Sequence, residues 1–161
     1  MWLNDSLPRK DLQILLTKLI ERVPVFAEFS QPELLELLNG AEKRVFRSGE
    51  AIISEGSSGA HMFVMIEGEA RVFKRGDGFK PHDLGVFASG DCFGEMALVD
   101  HAPRSATVEA VRDCVLIRIQ ESDCWNNPVI GSKIFRNIAG ILAQRLRELH
   151  GLVLKNKTAP N

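Results

Sequence analysis

The chain has 161 residues, of which 45% are hydrophobic and 25% charged, a composition typical of one globular domain with one core. Its net charge of −1 argues against a protein surface that attracts nucleic acid or anionic lipid. No apolar run approaches the roughly 20 residues that span a bilayer, and polar residues interrupt the N-terminus where a signal segment would lie. Three cysteines without CxxC spacing predict a reduced, cytoplasmic protein without a structural metal.

Two helices are predicted before the first strand. Leucine and isoleucine recur at helical spacing over residues 8–22, and Pro24 ends that helix. The second helix begins at Ser30, because Ser30 can cap it, Pro32 suits its first turn and Glu33 stands at the reciprocal capping position. The pair Asn39-Gly40 ends this helix.

From residue 42 to residue 120 the pattern is that of short strands. Segments rich in Val, Ile and Phe alternate with turns that contain glycine, at a spacing of about ten residues. Seven or eight such strands predict an antiparallel β-roll of the jelly-roll kind, either a sandwich or a small barrel.

After Pro128 the helical period returns in a long helix, either continuous or bent near Gly140. The predicted fold is therefore α+β and a single domain over residues 1–161. It consists of N-terminal helices (about 8–40), a β-roll (about 42–120), C-terminal helices (about 121–155) and a tail (156–161).

Turns explain most glycines, but the residue pattern of the segment from Gly90 to Val108 is not explained by turns alone. Residues 94–98 can form a helical turn that opens after a glycine, which leaves backbone N–H groups free for an anion. Arg104 can pair with two phosphate oxygens, and ionised Glu95 can accept a hydrogen bond from a ribose hydroxyl. Together they would bind a sugar phosphate, although a Glu and an Arg nine residues apart also fit a surface ion pair.

The segments Phe93-Gly94-Glu95-Met96-Ala97-Leu98 and Pro103-Arg104-Ser105-Ala106-Thr107 resemble the phosphate-binding cassette of cyclic nucleotide-binding domains. The similarity extends to the glycine-punctuated strands around Ser48–Gly56 and Met65–Val72, and it runs from about residue 12 to about residue 153. It implies a non-catalytic sensor that converts nucleotide binding into movement of its C-terminal helices. The resemblance implies no cofactor besides the nucleotide itself.

The resemblance implies a role for each residue of the cassette. Glu95, which follows Gly94, would bind the ribose 2′-hydroxyl, and Arg104 the cyclic phosphate. The backbone amides of Met96, Ala97 and Ala106 and the hydroxyl of Ser105 would complete the phosphate site. Apolar side chains would line the ribose and base, although burial in the core explains Ile66 equally well; these side chains are Ile66, Leu84 and Phe93.

The resemblance favours cAMP over cGMP, because Arg-Ser is frequent at this place in bacterial cAMP receptors. Ser105 can serve either the phosphate or a guanine amino group, so the residues alone leave both nucleotides open. The lid over the base would come from the long helix, at Arg145, Leu149 and His150. Leu149 differs from the polar residues that bacterial regulators place there, and Gly85 offers the base no hydroxyl.

Two other functions occur on related folds. A transcription regulator of the same superfamily carries a DNA-binding module after the long helix, whereas this chain ends at Asn161, so we expect no nucleic-acid partner. The basic residues between Lys133 and Lys157 then form a solvated helix face. A cupin-type metalloenzyme would need histidines that converge on a metal, but the four histidines are scattered along the chain. A domain that keeps this fold without binding nucleotide is a further alternative.

The predicted partners are a cyclic nucleotide and, through the long helix, a second copy of the chain or an effector protein. The helix carries an apolar stripe that either docks on such a partner or packs on the chain's own roll; it consists of Leu142, Leu146, Leu149 and Val153. No membrane partner is predicted.

Overall fold

The computed structural model describes residues 8–76 and 81–158, and their side chains as far as residue 151. Within these described residues, eight strands lie between two groups of helices, with one short helix between the sixth and seventh strands, which confirms the predicted α+β order. The strands are β1 (Glu42–Phe46), β2 (Ala51–Ile53), β3 (His61–Glu67), β4 (Glu69–Lys74), β5 (His82–Ala88), β6 (Cys92–Phe93), β7 (Thr107–Ala110) and β8 (Cys114–Gln120). The helices are α1 (Arg9–Arg22), α2 (Gln31–Gly40), α3 (Met96–Asp100), α4 (Glu121–Trp125) and α5 (Pro128–Thr158), with a 3₁₀ turn at Pro24–Phe26.

The start of α2 follows the predicted capping chemistry. The Ser30 hydroxyl accepts a hydrogen bond from the Glu33 amide, and the Glu33 carboxylate accepts one from the Ser30 amide. Both otherwise unpaired donors are thus satisfied, which fixes the start of the helix. α2 then buries Leu34, Leu37 and Leu38.

The strands form two four-stranded antiparallel sheets, in the orders β1-β8-β3-β6 and β2-β7-β4-β5. Successive side chains of a strand point to opposite faces, so β3 serves two cores. Met62 and Val64 pack with the helices, whereas Phe63 and Met65 pack between the sheets. The helices therefore cover the outer face of the first sheet, and the space between the sheets belongs to the roll.

Helix α5 runs without interruption through Gly140, so the continuous alternative is correct. Its first half is held to the 3₁₀ turn and the loop after it. Asn137 donates hydrogen bonds to the carbonyl oxygens of Val25 (3.0 Å) and Ala27 (2.8 Å), and Arg136 forms an ion pair with Glu28 at 2.5 Å. The buried side chains of this half belong to the helical core; they are Ile130, Ile134 and Ile138.

The apolar stripe on α5 divides along its length. Leu142 packs against the helical core, whereas Leu146 and Leu149 are 54% and 58% exposed. Val153 lies beyond the described side chains. Within the described residues, no helix is both long enough and apolar enough to cross a membrane.

Candidate functional site

One cavity in the roll brings together most of the predicted site residues. It opens between the second sheet, the segment that follows β6, and helix α5. The predicted residues that line it are Phe93, Gly94, Glu95, Met96, Ala97, Arg104, Ser105, Ala106 and Arg145. Residues more than 50 positions apart in the sequence therefore share one site.

Gly94 is needed where the chain leaves β6 and enters α3. Its φ is +75°, a conformation that side chains with a Cβ rarely adopt. A Cβ at this position would lie 2.8 Å from Nη1 of Arg104 and 3.0 Å from Cδ1 of Ile53. The glycine therefore allows the Arg104 guanidinium to lie directly against the backbone.

Glu95 is a buried carboxylate, only 1% exposed, at the start of α3. Its Oε1 lies 2.5 Å from Nη1 of Arg145 in α5, with which it forms an ion pair. A carboxylate at such depth is strongly disfavoured unless a cation or hydrogen-bond donors accompany it. Arg145 therefore compensates the charge of Glu95.

Arg104 is also buried, at 6% exposure. Its Nη1 donates to the carbonyl oxygen of Gly94 and its Nη2 to that of His61, both at 2.7 Å. Burial lowers the pKa of Arg104 and the nearby Glu95 carboxylate opposes this effect; a guanidinium nevertheless stays protonated in proteins. The side chain has five N–H donors, so two held by carbonyl groups leave others for an anion.

Arg145 contributes a second contact and an aromatic neighbour. Its Nη2 donates to the carbonyl oxygen of Cys92 at 2.7 Å, and its guanidinium lies 5.6 Å from the centre of the Phe87 ring. Phe87 in turn stacks on Phe93, with ring centres 4.9 Å apart and planes 14° apart. The α5 helix is thus attached to the cavity wall through a cation and an aromatic pair.

Two predicted lining residues lie elsewhere, each on the face of its strand that points away from the cavity. Ile66 follows Val64 by two positions in β3 and, like Val64, it packs against the helical core. Leu84 is 58% exposed, like Val86 two positions later at 57%, and it is not among the lining residues.

The predicted lid is brought to the cavity only in part. Arg145 lines it, whereas Leu149 and His150 are exposed and are not among the lining residues. The structure thus assigns the contact between α5 and the cavity to the turn of Arg145.

Several lining residues were not predicted. Those from the strands give the cavity an apolar wall, and Asp100 adds a carboxylate; they are Ile53, Val72, Phe87, Asp100, Ala102, Pro103 and Val108. Alternation along β5 could have identified Phe87, because it places Phe87 on the same face as Gly85, the position considered above for contact with the base. No local pattern distinguishes Asp100 from an ordinary surface carboxylate.

The histidines that a metalloenzyme would require are distributed over the fold. His61 lies in β3, His82 in β5, His101 after α3 and His150 in α5. Among the residues that the structure describes, no three His, Cys, Asp or Glu side chains are grouped so that they could hold a metal ion.

Two curated proteins and one solved structure are similar to this chain. A cAMP-dependent protein kinase regulatory subunit from Mycosarcoma maydis is 34% identical over 83% of this chain and 25% of its own length. A cyclic AMP receptor protein from Thermus thermophilus is 30% identical over 78% of this chain and 58% of its own length. The crystal structure of the Thermus thermophilus catabolite activator protein superposes with a TM-score of 0.74 at 29% identity, covering 83% of this chain and 63% of that one.

This chain spans a quarter to about three fifths of the length of those two curated relatives. The family model of the cyclic nucleotide-binding domain matches residues 43–126, more than half of the chain. The matched region contains the buried residues Glu95 and Arg104 and every lining residue of their cavity except Arg145. The chain therefore belongs to the cyclic nucleotide-binding domain family.

Proposed function

We propose that this chain binds a cyclic purine nucleotide, with cAMP favoured over cGMP, as a non-catalytic regulatory sensor. The observation that carries the proposal is the presence of two buried ionic side chains, Glu95 and Arg104, in one cavity of the roll. Buried charges are costly to keep, so two of them in one cleft are characteristic of a binding site.

The phosphate lies at Arg104 in this proposal. The remaining N–H groups of its guanidinium can form a paired, charge-assisted contact with two phosphate oxygens. Ser105 and Ala106, which follow it in the sequence, line the same cavity, as do Met96 and Ala97. The Ser105 hydroxyl and the neighbouring backbone amides then complete the hydrogen bonds of the phosphate.

The ribose lies at Glu95. The carboxylate is an acceptor on both oxygens, so one oxygen can retain Arg145 while the other accepts from the 2′-hydroxyl. A sugar without that hydroxyl would leave a buried acceptor unused, which costs affinity. The carboxylate therefore favours ribonucleotides over deoxyribonucleotides.

The base lies against the apolar wall. Phe87, Val72 and Val108 line the cavity and can make dispersion and stacking contacts with a purine. These contacts do not separate adenine from guanine, so the preference for cAMP rests on the resemblance of Arg104-Ser105 to bacterial cAMP receptors and on the names of the two curated relatives.

The output of the sensor passes through α5. Arg145 attaches this helix to the same carboxylate that we assign to the ribose, so nucleotide binding and helix position depend on a common group. The two curated relatives bear the names of a kinase regulatory subunit and a cAMP receptor, which supports a regulatory role without catalysis. The partner that reads α5, either an effector protein or a second copy, stays a prediction, as does a cytoplasmic location.

Titration calorimetry against cAMP, cGMP and cyclic dinucleotides tests the proposal. We expect cAMP to bind with micromolar or better affinity, and Arg104→Ala to weaken binding by about 2–5 kcal/mol because it removes the charge partner of the phosphate. Arg112→Ala is the matched control, since Arg112 is an exposed arginine outside the cavity.

Equal binding of cAMP by the wild-type chain and Arg104→Ala would contradict the assignment of the site. Absence of binding by every cyclic nucleotide would instead favour a domain that keeps the fold without the ligand. Circular dichroism of both variants separates loss of binding from loss of folding.

A further inference from the structure

The cavity contains four ionisable side chains among the described residues: Glu95, Asp100, Arg104 and Arg145. Two acids and two bases give a formal charge of zero. Glu95 and Arg145 neutralise each other as an ion pair. The charges that remain are the cation of Arg104, which contacts neutral carbonyl groups, and the carboxylate of Asp100.

Asp100 is exposed to solvent and also lines the cavity. It is the last residue of α3, and its Oδ1 accepts a hydrogen bond from the amide of Ala102 at 3.0 Å. It forms no ion pair with any residue that the structure describes, and it lies on the cavity wall four residues before Arg104. A ligand phosphate at Arg104 therefore also meets the field of this carboxylate.

We propose that Asp100 is a specificity-determining residue that limits the ligand at Arg104 to a single negative charge. This inference rests on the proposed function, and it names the charge class of the ligand that the site accepts. A cyclic phosphodiester carries one negative charge, whereas a phosphate monoester carries about 1.5 to 2 at neutral pH. The residue therefore favours a cyclic nucleotide over the linear 5′-nucleotide from which it differs by one molecule of water.

The physical reason is that Coulomb repulsion grows in proportion to the charge of the ligand. One arginine compensates one phosphate charge, and the second charge of a monoester is opposed by Asp100. Proteins often discriminate by repelling the competing ligand rather than by adding contacts to the preferred one.

The test is Asp100→Asn, which removes the charge and keeps the oxygen that accepts from the Ala102 amide. The affinities for cAMP and for 5′-AMP are measured by calorimetry, and by displacement of cAMP where 5′-AMP binds weakly, at low and at high salt. At low salt we expect about a threefold gain for cAMP and about a tenfold gain for 5′-AMP, since the repulsion removed scales with ligand charge. High salt should shrink both gains.

Asp83→Asn is the control, because Asp83 is an exposed aspartate outside the cavity wall and its replacement changes the net charge equally. Equal gains for the two nucleotides, no gain for 5′-AMP, or the same gains in Asp83→Asn would overturn the inference while cAMP binding stands. A wild-type chain that binds neither nucleotide would remove the proposed function and this inference with it.

Discussion

Arg145 in α5 and Glu95 at the start of α3 form an ion pair with 2.5 Å between Nη1 and Oε1, although fifty residues separate them in the sequence. The same guanidinium holds the carbonyl oxygen of Cys92. The carboxylate at the sugar end of the proposed site is therefore also the point at which the C-terminal helix is attached.

Replacing Arg145 by Gln should destabilise the chain. The substitution leaves the buried Glu95 carboxylate without its cation, and an unsatisfied buried group of this kind costs roughly 1–3 kcal/mol. Urea unfolding measures the loss, and Arg145→Lys should recover part of it because lysine restores the charge without the paired geometry. Arg147→Gln is the control, since Arg147 is exposed on the same helix. An equal stability change in Arg145→Gln and Arg147→Gln would show that the ion pair contributes nothing.

The stability of the chain should fall on acidification because of His61. Burial, reinforced by the positive charges of Arg104 and Arg118, lowers the pKa of His61 from 6.5 to about 4. The unfolded chain therefore takes up a proton near pH 6.5, whereas the folded chain takes it up only near pH 4. Between these values the unfolded state binds more protons, so the free energy of unfolding decreases as the pH decreases.

The measurement is the unfolding free energy from pH 7 down to pH 4 in the wild type and in His61→Gln. The variant cannot bind the proton, so its pH dependence over this window should be shallower. His82→Gln, at an exposed histidine of β5, should keep the slope of the wild type. Parallel curves for the wild type and His61→Gln would contradict the prediction.

Replacing His101 by Gly should stabilise the fold. His101 ends α3 with φ 54° and ψ 17°, a left-handed conformation that costs a residue with a Cβ about 1–2 kcal/mol. Glycine avoids that strain but loses about 0.5–1 kcal/mol of unfolded-state freedom, so a net gain of about 0.5–1 kcal/mol is expected. Nδ1 of His101 lies 3.5 Å from a carboxylate oxygen of Glu121, and because the imidazole is 64% exposed this contact should contribute little.

Thermal and urea unfolding report this change, and His101→Ala is the matched comparison because it removes the imidazole and keeps the strain. We expect the glycine variant to be more stable than both the wild type and the alanine variant. A glycine variant less stable than the wild type would show that the imidazole contacts outweigh the backbone strain.

The exposed leucines of α5 predict self-association. Leu146 and Leu149 lie three residues apart on one helix face, and more than half of each side chain is exposed. We expect sedimentation to show a dimer that Leu146→Ser together with Leu149→Ser converts to a monomer. Val45→Ser, at an exposed valine of β1, should leave the dimer intact. A wild-type monomer with and without cAMP would rule out a second copy on this face and favour an effector.

The sequence predicts well those features that short segments determine. The capping chemistry of Ser30 and Glu33 requires only four consecutive residues, and the structure confirms it. The glycine-punctuated strands likewise yield the eight strands of the roll, because each strand ends where its own residues favour a turn.

Ile66 and Leu84 are expected in the cavity from the resemblance alone, whereas alternation along their own strands places both side chains on the other face. Contacts between distant segments could not be predicted. The contact of Arg145 with Glu95 depends on where α5 lies across the roll, which the periodicity of the helix does not determine.

Two of the attachments of helix α5 differ in kind. Asn137 holds it to the backbone around the 3₁₀ turn, and eight residues later, about 12 Å along the axis, Arg145 holds it to Glu95. Thermodynamic reciprocity then applies: if nucleotide changes the affinity of α5 for a partner, that partner changes the affinity for nucleotide by the same factor. A partner of this helix would thus reveal itself as a shift in the nucleotide titration, before anything is known of its own structure.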